Sequence, residues 1–421
     1  MRSATRALTI LAEIVDRERL GDRLIDINAD HDRNRWFHVG KLPNTHFTRF
    51  VIIDDKCDDG SNLLPAMLAW EVNYDGDEDA YLDAAAKLTP SLDNIFDCCA
   101  GYPGSSDAKR WRAWMHDHRY RAAAFYSAYP GVRHDEIVND IAVHAKLRDL
   151  ADVPEVALLQ PPEVHRRFRE DLTTSGLQTS PIDDEKLRWF FDRLLAILAA
   201  IVIAPFLLIV ITFWWLPTLR KREREDEVGM IDKPVHDNGL AEEEDKIRQN
   251  QLTHVVDIKP GVFRMFTVWA VVNVIGVLAS VFYVNGHLGG ITSIHFARWV
   301  IVRDRRKVPR AKRRDRLVFF SNYDGSWESY LGEFIDRASN GLTAIWSNTE
   351  GFPRTEFLMW AGATDEERFK QWTRDHQIVT QVWWSGVPLS TVQNVRDDIW
   401  LRRRLETNLE DKELTAWLRR V

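Results

Sequence analysis

The segment Thr45–Asp55, THFTRFVIIDD, returns later in the chain as IHFARWVIVRD at Ile294–Asp304, with His, Phe, Arg, Val, Ile and a final Asp in common. At the same spacing, NYDG at Asn73–Gly76 matches NYDG at Asn322–Gly325, and Tyr81-Leu82 matches Tyr330-Leu331. One residue later in register, Gly101 and Pro103 match Gly351 and Pro353. Trp114, Asp117, His118, Ser127, Pro130 and Asp140 then match Trp372, Asp375, His376, Ser385, Pro388 and Asp398. Matches kept in order over such a distance are the mark of an internal duplication, so the chain is expected to fold as two related units.

The order of elements is readable in the second unit. Arg298–Val302 and Leu317–Ser321 are apolar strands joined by a basic loop, and Ser326–Ala338 is a helix with Tyr330, Leu331, Phe334 and Ile335 on one face. Thr343–Ser347 and Phe357–Trp360 read as short strands, Asp365–His376 as a helix and Val379–Trp384 as a strand. A long amphipathic helix begins near Ser390. Setting aside the first strand, this is the β-α-β-β-α-β order of a ferredoxin-like unit. Val51 and Ile53 face one way and Phe50 and Ile52 the other, so the sheet is apolar on both faces and must be covered on both. Helices cover one face. The sheet of the other unit is the simplest cover for the second, which makes a pseudo-dimeric α+β barrel inside one chain.

Between the units lie two uncharged segments, Leu194–Leu216 and Met265–Val284. Each is long enough to cross roughly 30 Å of hydrocarbon as a helix. Arg193, Arg220, Lys221, Arg222 and Arg264 bracket them, and Trp189, Trp214, Trp215 and Tyr283 lie near their ends. Ala196, Ala200 and Ala204 in the first segment, and Gly276 and Ser280 in the second, offer close-approach faces for a helical hairpin. Asn273 reads as an interhelical hydrogen bond. The expected plan has an N-terminal amphipathic helix and lead-in at 1–44, a ferredoxin-like repeat at 45–160 and a linker at 161–193. Transmembrane helices at 194–216 and 265–284 flank a charged loop at 217–264, and the second repeat with its C-terminal helix fills 294–421. Two spans place both repeats on one side of the membrane. The cytoplasmic side is expected, because no secretory signal opens the chain.

A net charge of -7 excludes nucleic acid as a default partner. The stretch Arg303–Arg316 is nonetheless strongly basic. Arg303, Arg305, Arg306, Lys307, Arg310, Lys312, Arg313, Arg314 and Arg316 are candidate contacts to anionic lipid, or else a solvated hairpin loop. Cys57, Cys98 and Cys99 make no disulfide framework, and no Cys or His spacing suggests a metal. Gln249, Asn250, Gln251 and His254 form a polar cluster before the second apolar segment.

Two readings stand for each candidate site residue. Asp75 and Asp324, at a strand-to-helix junction, are either acid–base groups or local turn and cap residues. His46 and His295 stand three residues before Arg49 and Arg298, on opposite faces of an extended segment. His118 and His376 follow an Asp at a helix end, where a histidine can bond the last carbonyls. Two ferredoxin-like units with facing sheets resemble the dimeric α+β barrel superfamily, whose haem-binding branch includes dye-decolourising peroxidases. Asp75-Gly76 and Asp324-Gly325 match the end of that branch's Gly-x-x-Asp-Gly motif, with Val72 and Ser321 in place of its first glycine. The resemblance implies a membrane-anchored, peroxidase-like oxidoreductase for an apolar substrate. Asp324, Asp75, Arg298 and His295 would be its catalytic groups, and His376 or His144 would hold a haem. The alternative is a non-catalytic membrane-anchored module that binds lipid or protein.

Overall fold

Thr45–Ile53 is apolar on both faces, as is Met67–Asp75 beside it, and in the folded chain both faces are covered. A computed structural model describes residues 5–55, 62–179, 197–198, 204–205, 208–226, 240, 244, 248–281, 290–309 and 312–421. Its first half runs β1 (Thr5–Glu13), α1 (Arg17–Ala29), β2 (Thr45–Ile53), β3 (Met67–Asp75), α2 (Glu78–Ala86), α3 (Ala108–Asp117), β4 (Ala124–Ser127), α4 (His134–Ala151) and α5 (Pro161–Thr173). After α6 (Leu216–Glu225) the second half runs β5 (Gln249–Asp257), α7 (Val262–Val281), β6 (Ile294–Val302), β7 (Arg316–Asp324), α8 (Trp327–Trp346), α9 (Glu366–His376), β8 (Val382–Ser385), α10 (Val392–Leu405) and α11 (Asp411–Leu418). The chain is an α+β protein.

The strands form two four-stranded antiparallel sheets, ordered β1-β3-β2-β8 and β4-β6-β7-β5. Each sheet takes its last edge strand from the other half of the chain: β8 pairs with β2, and β4 pairs with β6. Leu11, Val51, Ile53 and Ala69 of one sheet cluster with Val300, Val318 and Phe320 of the other, so the sheets meet face to face. Phe50, Ile52, Leu68 and Trp70 turn to the opposite face, beneath Leu20, Leu24, Leu82 and Trp111 of the helices. The alternation expected from the sequence is therefore realised on both sides of β2.

Several expected elements are corrected. The helix expected within 1–44 is α1 and does not extend back over the apolar residues Leu8–Ile14, because Thr5–Glu13 pairs along its whole length with β3. Leu8 and Ile10 face the helices, and Leu11 faces the other sheet. A short strand apolar on both faces shows no clear period, so it reads equally well as a helix face. The charged loop at 217–264 is likewise not a loop. It contains α6 and β5, and the polar cluster Gln249–His254 is a strand paired with β7. Thr343–Ser347, expected as a strand, closes α8 after a kink at Ala338, where φ is -134°. Phe357–Trp360 is mostly the turn of a small hairpin joining Thr355–Glu356 to Trp360–Ala361.

Residues 194–196, 199–203 and 206–207 of the first apolar segment, and the end of the second, lie outside the described residues. Among those described, no helix is long and apolar enough to cross a membrane. The helix of the first segment continues past Pro217 to Glu225, with a π-helical turn at Ile211–Trp215 just ahead of the proline. Trp215 Nε1 donates to Thr267 Oγ1 at 3.0 Å, and Trp214 meets Phe263 edge-on, so the end of the first segment rests on the start of α7. Gly276 is not a free hairpin face: its Cα hydrogen points at the backbone of Ala123 and Ala124. Among the described residues Asn273 makes no interhelical bond; its amide donates to the Trp269 carbonyl one turn back.

Candidate functional site

Where β2 begins, the ladder with β3 slips by one residue between Thr45 and Phe47, which turns His46 toward the end of β3. Its Nε2 lies 3.0 Å from both carboxylate oxygens of Asp75. Asp75 also accepts from Thr5 Oγ1 at 3.0 Å and from the backbone N–H of His134, the first residue of α4, at 2.6 Å. The second half repeats the arrangement. β6 slips between Ile294 and Phe296, His295 Nε2 lies 2.8 Å from Asp324, and Asp324 accepts from the N–H of Val392, the first residue of α10, at 2.7 Å. Each aspartate therefore satisfies a free donor at a helix start and sits where the helix dipole favours negative charge. Neither Asp75 nor Asp324 caps the helix that follows it in sequence; Asp77 and Ser326 do that.

The two His–Asp pairs meet through aromatic rings. His46 packs on Phe296, His295 on Phe47, and Phe47 on Phe296, with centroids 5.2–5.7 Å apart. Tyr129 donates to His295 Nδ1 at 2.9 Å, whereas His46 Nδ1 has no hydrogen-bond partner among the described residues. Burial alone would raise the Asp75 carboxyl; His46, the His134 N–H and Thr5 outweigh it and hold the group below its ordinary value. Burial, with the Asp324 and Asp75 charges, pushes the Tyr129 hydroxyl well up, so it stays protonated. His46, His295 and Tyr129 are all buried.

Arg49 and Arg298 do not join this cluster. They cross the space between the sheets in opposite directions. Arg49 donates to the Leu252 and Ser321 carbonyls, Thr253 Oγ1 and Asn322 Oδ1 of the second sheet. Arg298 donates to the Leu8 and Val72 carbonyls, Thr9 Oγ1 and Asn73 of the first. Glu71 lies between them, 2.8 Å from Arg49 Nε and 2.6 Å from Arg298 Nη2. All three side chains are almost wholly buried. Burial pulls both guanidinium groups below their ordinary values, Arg298 to about 10, against the attraction of Glu71. The expected catalytic Arg298 therefore spends its donors on strand carbonyls and a carboxylate of its own protein.

The histidines expected to hold a cofactor are also engaged. His376 Nδ1 donates to the Trp372 carbonyl at 2.8 Å, as His118 does to Trp114, so both close their helices. His144 pairs with Asp398 across the α4–α10 contact, beside a fully buried pair between Asp140 and Arg402. Haem needs an apolar cavity of several hundred Å³ and a ligand aimed into it. The cavity walled by His254, Trp346 and Trp372, beside His376, has a volume of about 20 Å³, room for one water. A larger groove of about 660 Å³ lies along α1 and is lined by charged side chains such as Asp22, Asp26 and Arg35, with no histidine. These residues do not fit a haem. Among the described residues no cluster of His, Cys, Asp or Glu could hold a metal ion.

The basic stretch is partly spent inside the protein. Arg314 bridges Asp55 and Asp257, each at 2.6 Å, Arg306 pairs with Asp304 at 2.8 Å, and Arg316 is buried. Burial would raise the Asp304 carboxyl, but the Arg306 side chain and the N–H groups of Arg314 and Arg306 prevail and hold it at about 2. Arg303, Arg305, Lys307, Lys312 and Arg313 remain exposed, and Arg310 lies outside the described residues. Glu71, Tyr129, His134 and Thr5 were not singled out from the sequence. Glu71 had a signal, a lone acid in the middle of the strand MLAWEVNYD; Tyr129 had none, since its counterpart by alignment is Val387. Compared with protein-family profiles, with curated proteins and with solved structures, the chain has no match.

Proposed function

We propose that this chain is a membrane-associated, non-catalytic binding module: two ferredoxin-like repeats closed into a pseudo-dimeric barrel, with a sealed scaffold inside and the working surface outside. The barrel reading rests on the edge strand each half lends the other and on the apolar cluster between the sheets. The two arginines that cross it support the same reading. The duplicated His–Asp pairs tie each β-sheet end to a helix start, a scaffold task that both halves need equally.

One observation carries the membrane reading. α1 and α7 hold corresponding places, each between the first two strands of its half and each against the borrowed strand of its sheet. The outward side of α1 is charged, with Arg17, Glu18, Arg19, Asp22 and Asp26 exposed. The outward side of α7 is Val262, Phe266, Trp269, Val274, Val277 and Leu278, with Phe266 46% and Trp269 50% exposed. An apolar stripe of this size on a helix that already buries its other face calls for an apolar cover. Lipid fits it, with the exposed Arg and Lys of the β6–β7 loop toward anionic headgroups on the cytoplasmic side.

Flotation of the full-length chain with phosphatidylcholine–phosphatidylglycerol vesicles tests this. The protein is expected to float, and Phe266→Ser with Trp269→Ser to leave most of it in the soluble fraction while thermal stability is kept. A wild-type chain that stays at the bottom of the gradient would overturn the proposal. Titration with haemin is expected to give no Soret band of a ligated iron; a stoichiometric band would restore the oxidoreductase reading.

A further inference from the structure

We infer that α7, with the described turns 208–215 that lead into α6, lies along one leaflet of an anionic bilayer and does not cross it. This rests on the membrane reading above and adds its geometry. A helix that crosses once leaves its ends on opposite sides. Here both ends of α7, and the end of the first segment, are held in one folded body. Before the first segment, Gln178 N–H donates to Asn139 Oδ1 at 2.9 Å, tying the chain to α4. After it, Leu219 is fully buried, and Glu223 accepts from the N–H groups of Phe357 and Leu358. The stretch between the segments includes β5, which pairs with β7 over nine residues in the same sheet as β4 from the first half. Past the second segment, Ile291 is fully buried in the core.

The way back from α7 is also too short for a second helical crossing, since ten residues of helix rise only about 15 Å. About ten residues separate Val281 from Ile291, a reach of about 35 Å if fully extended. Extended chain in hydrocarbon would leave every N–H and C=O without a partner. Nor does α7 leave the body like a span. Met265, Val268 and Val272 are buried along one side, and a Cβ at Gly276 would come within 3.0 Å of the Ala123 carbonyl oxygen. One side of the helix is packed against the body from Met265 to Gly276, so its exposed side meets a membrane broadside, as an interfacial helix does.

Charge identifies the kind of membrane. Asp257, at the end of β5, pairs with Arg316 at the start of β7, and the Ile258 N–H donates to the Asp315 carbonyl. The start of α7 and the β6–β7 loop therefore share one end of the sheet. Arg305, Lys307, Lys312 and Arg313 of that loop are exposed, as are Lys221 and Arg222 on α6. An apolar stripe with a basic margin is matched by acyl chains below anionic headgroups.

The test uses the full chain carrying Cys57→Ser, since Cys98 and Cys99 are buried. Single cysteines are placed at exposed positions in the first half, Arg166→Cys, and between the two apolar segments, Lys221→Cys. Each protein is bound to sealed vesicles of phosphatidylcholine with phosphatidylglycerol and treated from outside with a membrane-impermeant maleimide. Equal labelling of both cysteines, unchanged by lysing the vesicles, is the expected result. Lys221→Cys labelled only after lysis, in vesicles where Arg166→Cys is labelled at once, would overturn the inference and leave membrane association standing. Removing phosphatidylglycerol is expected to weaken binding about tenfold or more; binding unchanged without it would overturn the anionic part. If the chain ignores vesicles and instead forms a dimer that Trp269→Ser dissolves, a second copy is the cover and both readings fail.

Discussion

Glu71 is the one carboxylate between two buried guanidinium groups, and the second sheet has Phe320 where the first has Glu71. Among the described residues the inter-sheet space thus sets two positive charges, Arg49 and Arg298, against the Glu71 carboxylate, and strand carbonyls make up the difference. Glu71→Gln would leave both arginines buried without a counter-ion. It is expected to cost about 3–5 kcal/mol in denaturant unfolding; a loss below about 1 kcal/mol would mean that the carbonyls alone hold the charges. Asp304 sets a second test. Its folded pKa, about 2, is below that of an unfolded aspartate, near 3.9. Its contribution is therefore whole above about pH 4 and is lost as the pH falls toward 2. Asp304→Asn should flatten the fall of stability across that window, measured by unfolding at a series of pH values. Little of this was legible beforehand. The repeated His, Arg and Asp residues were visible, but their partners Thr5, His134 and Asn322 come from far along the chain. Spacing alone could not say which groups would be neutralised and which left free.

Among the elements, α7 shows how one position serves two surroundings. Its inner side is ordinary packing on β4, and Gly276 permits the closest approach. Gly276→Val would press a branched side chain on the Ala123 and Ala124 backbone and is expected to destabilise the protein by about 1–3 kcal/mol. Trp269→Ser, on the outer side, should leave stability nearly unchanged in solution. Thermal unfolding of both variants checks this, and equal losses would contradict the division into faces. The uncharged run was legible from Met265 on, and two features kept its role from being read. An apolar helix that fits a bilayer fits a protein surface equally well, and only the pairing of β5 shows where its start is held. The strands missed at Thr5–Glu13 and Gln249–Asp257 failed for related reasons: one is apolar on both faces, and the other is polar because Gln251 and Thr253 face Arg49 while Gln249 and Asn250 bond distant backbone carbonyls.

At the scale of the whole molecule the two halves cannot be separated cleanly. β4 closes the second sheet and β8 the first, so either half alone leaves the edge of β2 or β6 unpaired. A first half ending at Arg193 and a second half beginning at Leu240 are each expected to lack a cooperative unfolding transition, which mixing should restore. A sharp transition in either piece by itself would refute the exchange. The α4–α10 contact adds to the bond between halves, with Asp140 against Arg402 and His144 against Asp398. The α+β class, most helices and the two-sided burial of the central strands were determined by local sequence, because periodicity and recurring motifs are properties of the chain itself. Strand exchange, the neutralisation of each buried charge and the anchoring of the chain on either side of α7 were decided only in the folded state. Those features depend on contacts between residues tens to hundreds of positions apart, and local sequence carries no record of which distant group will arrive.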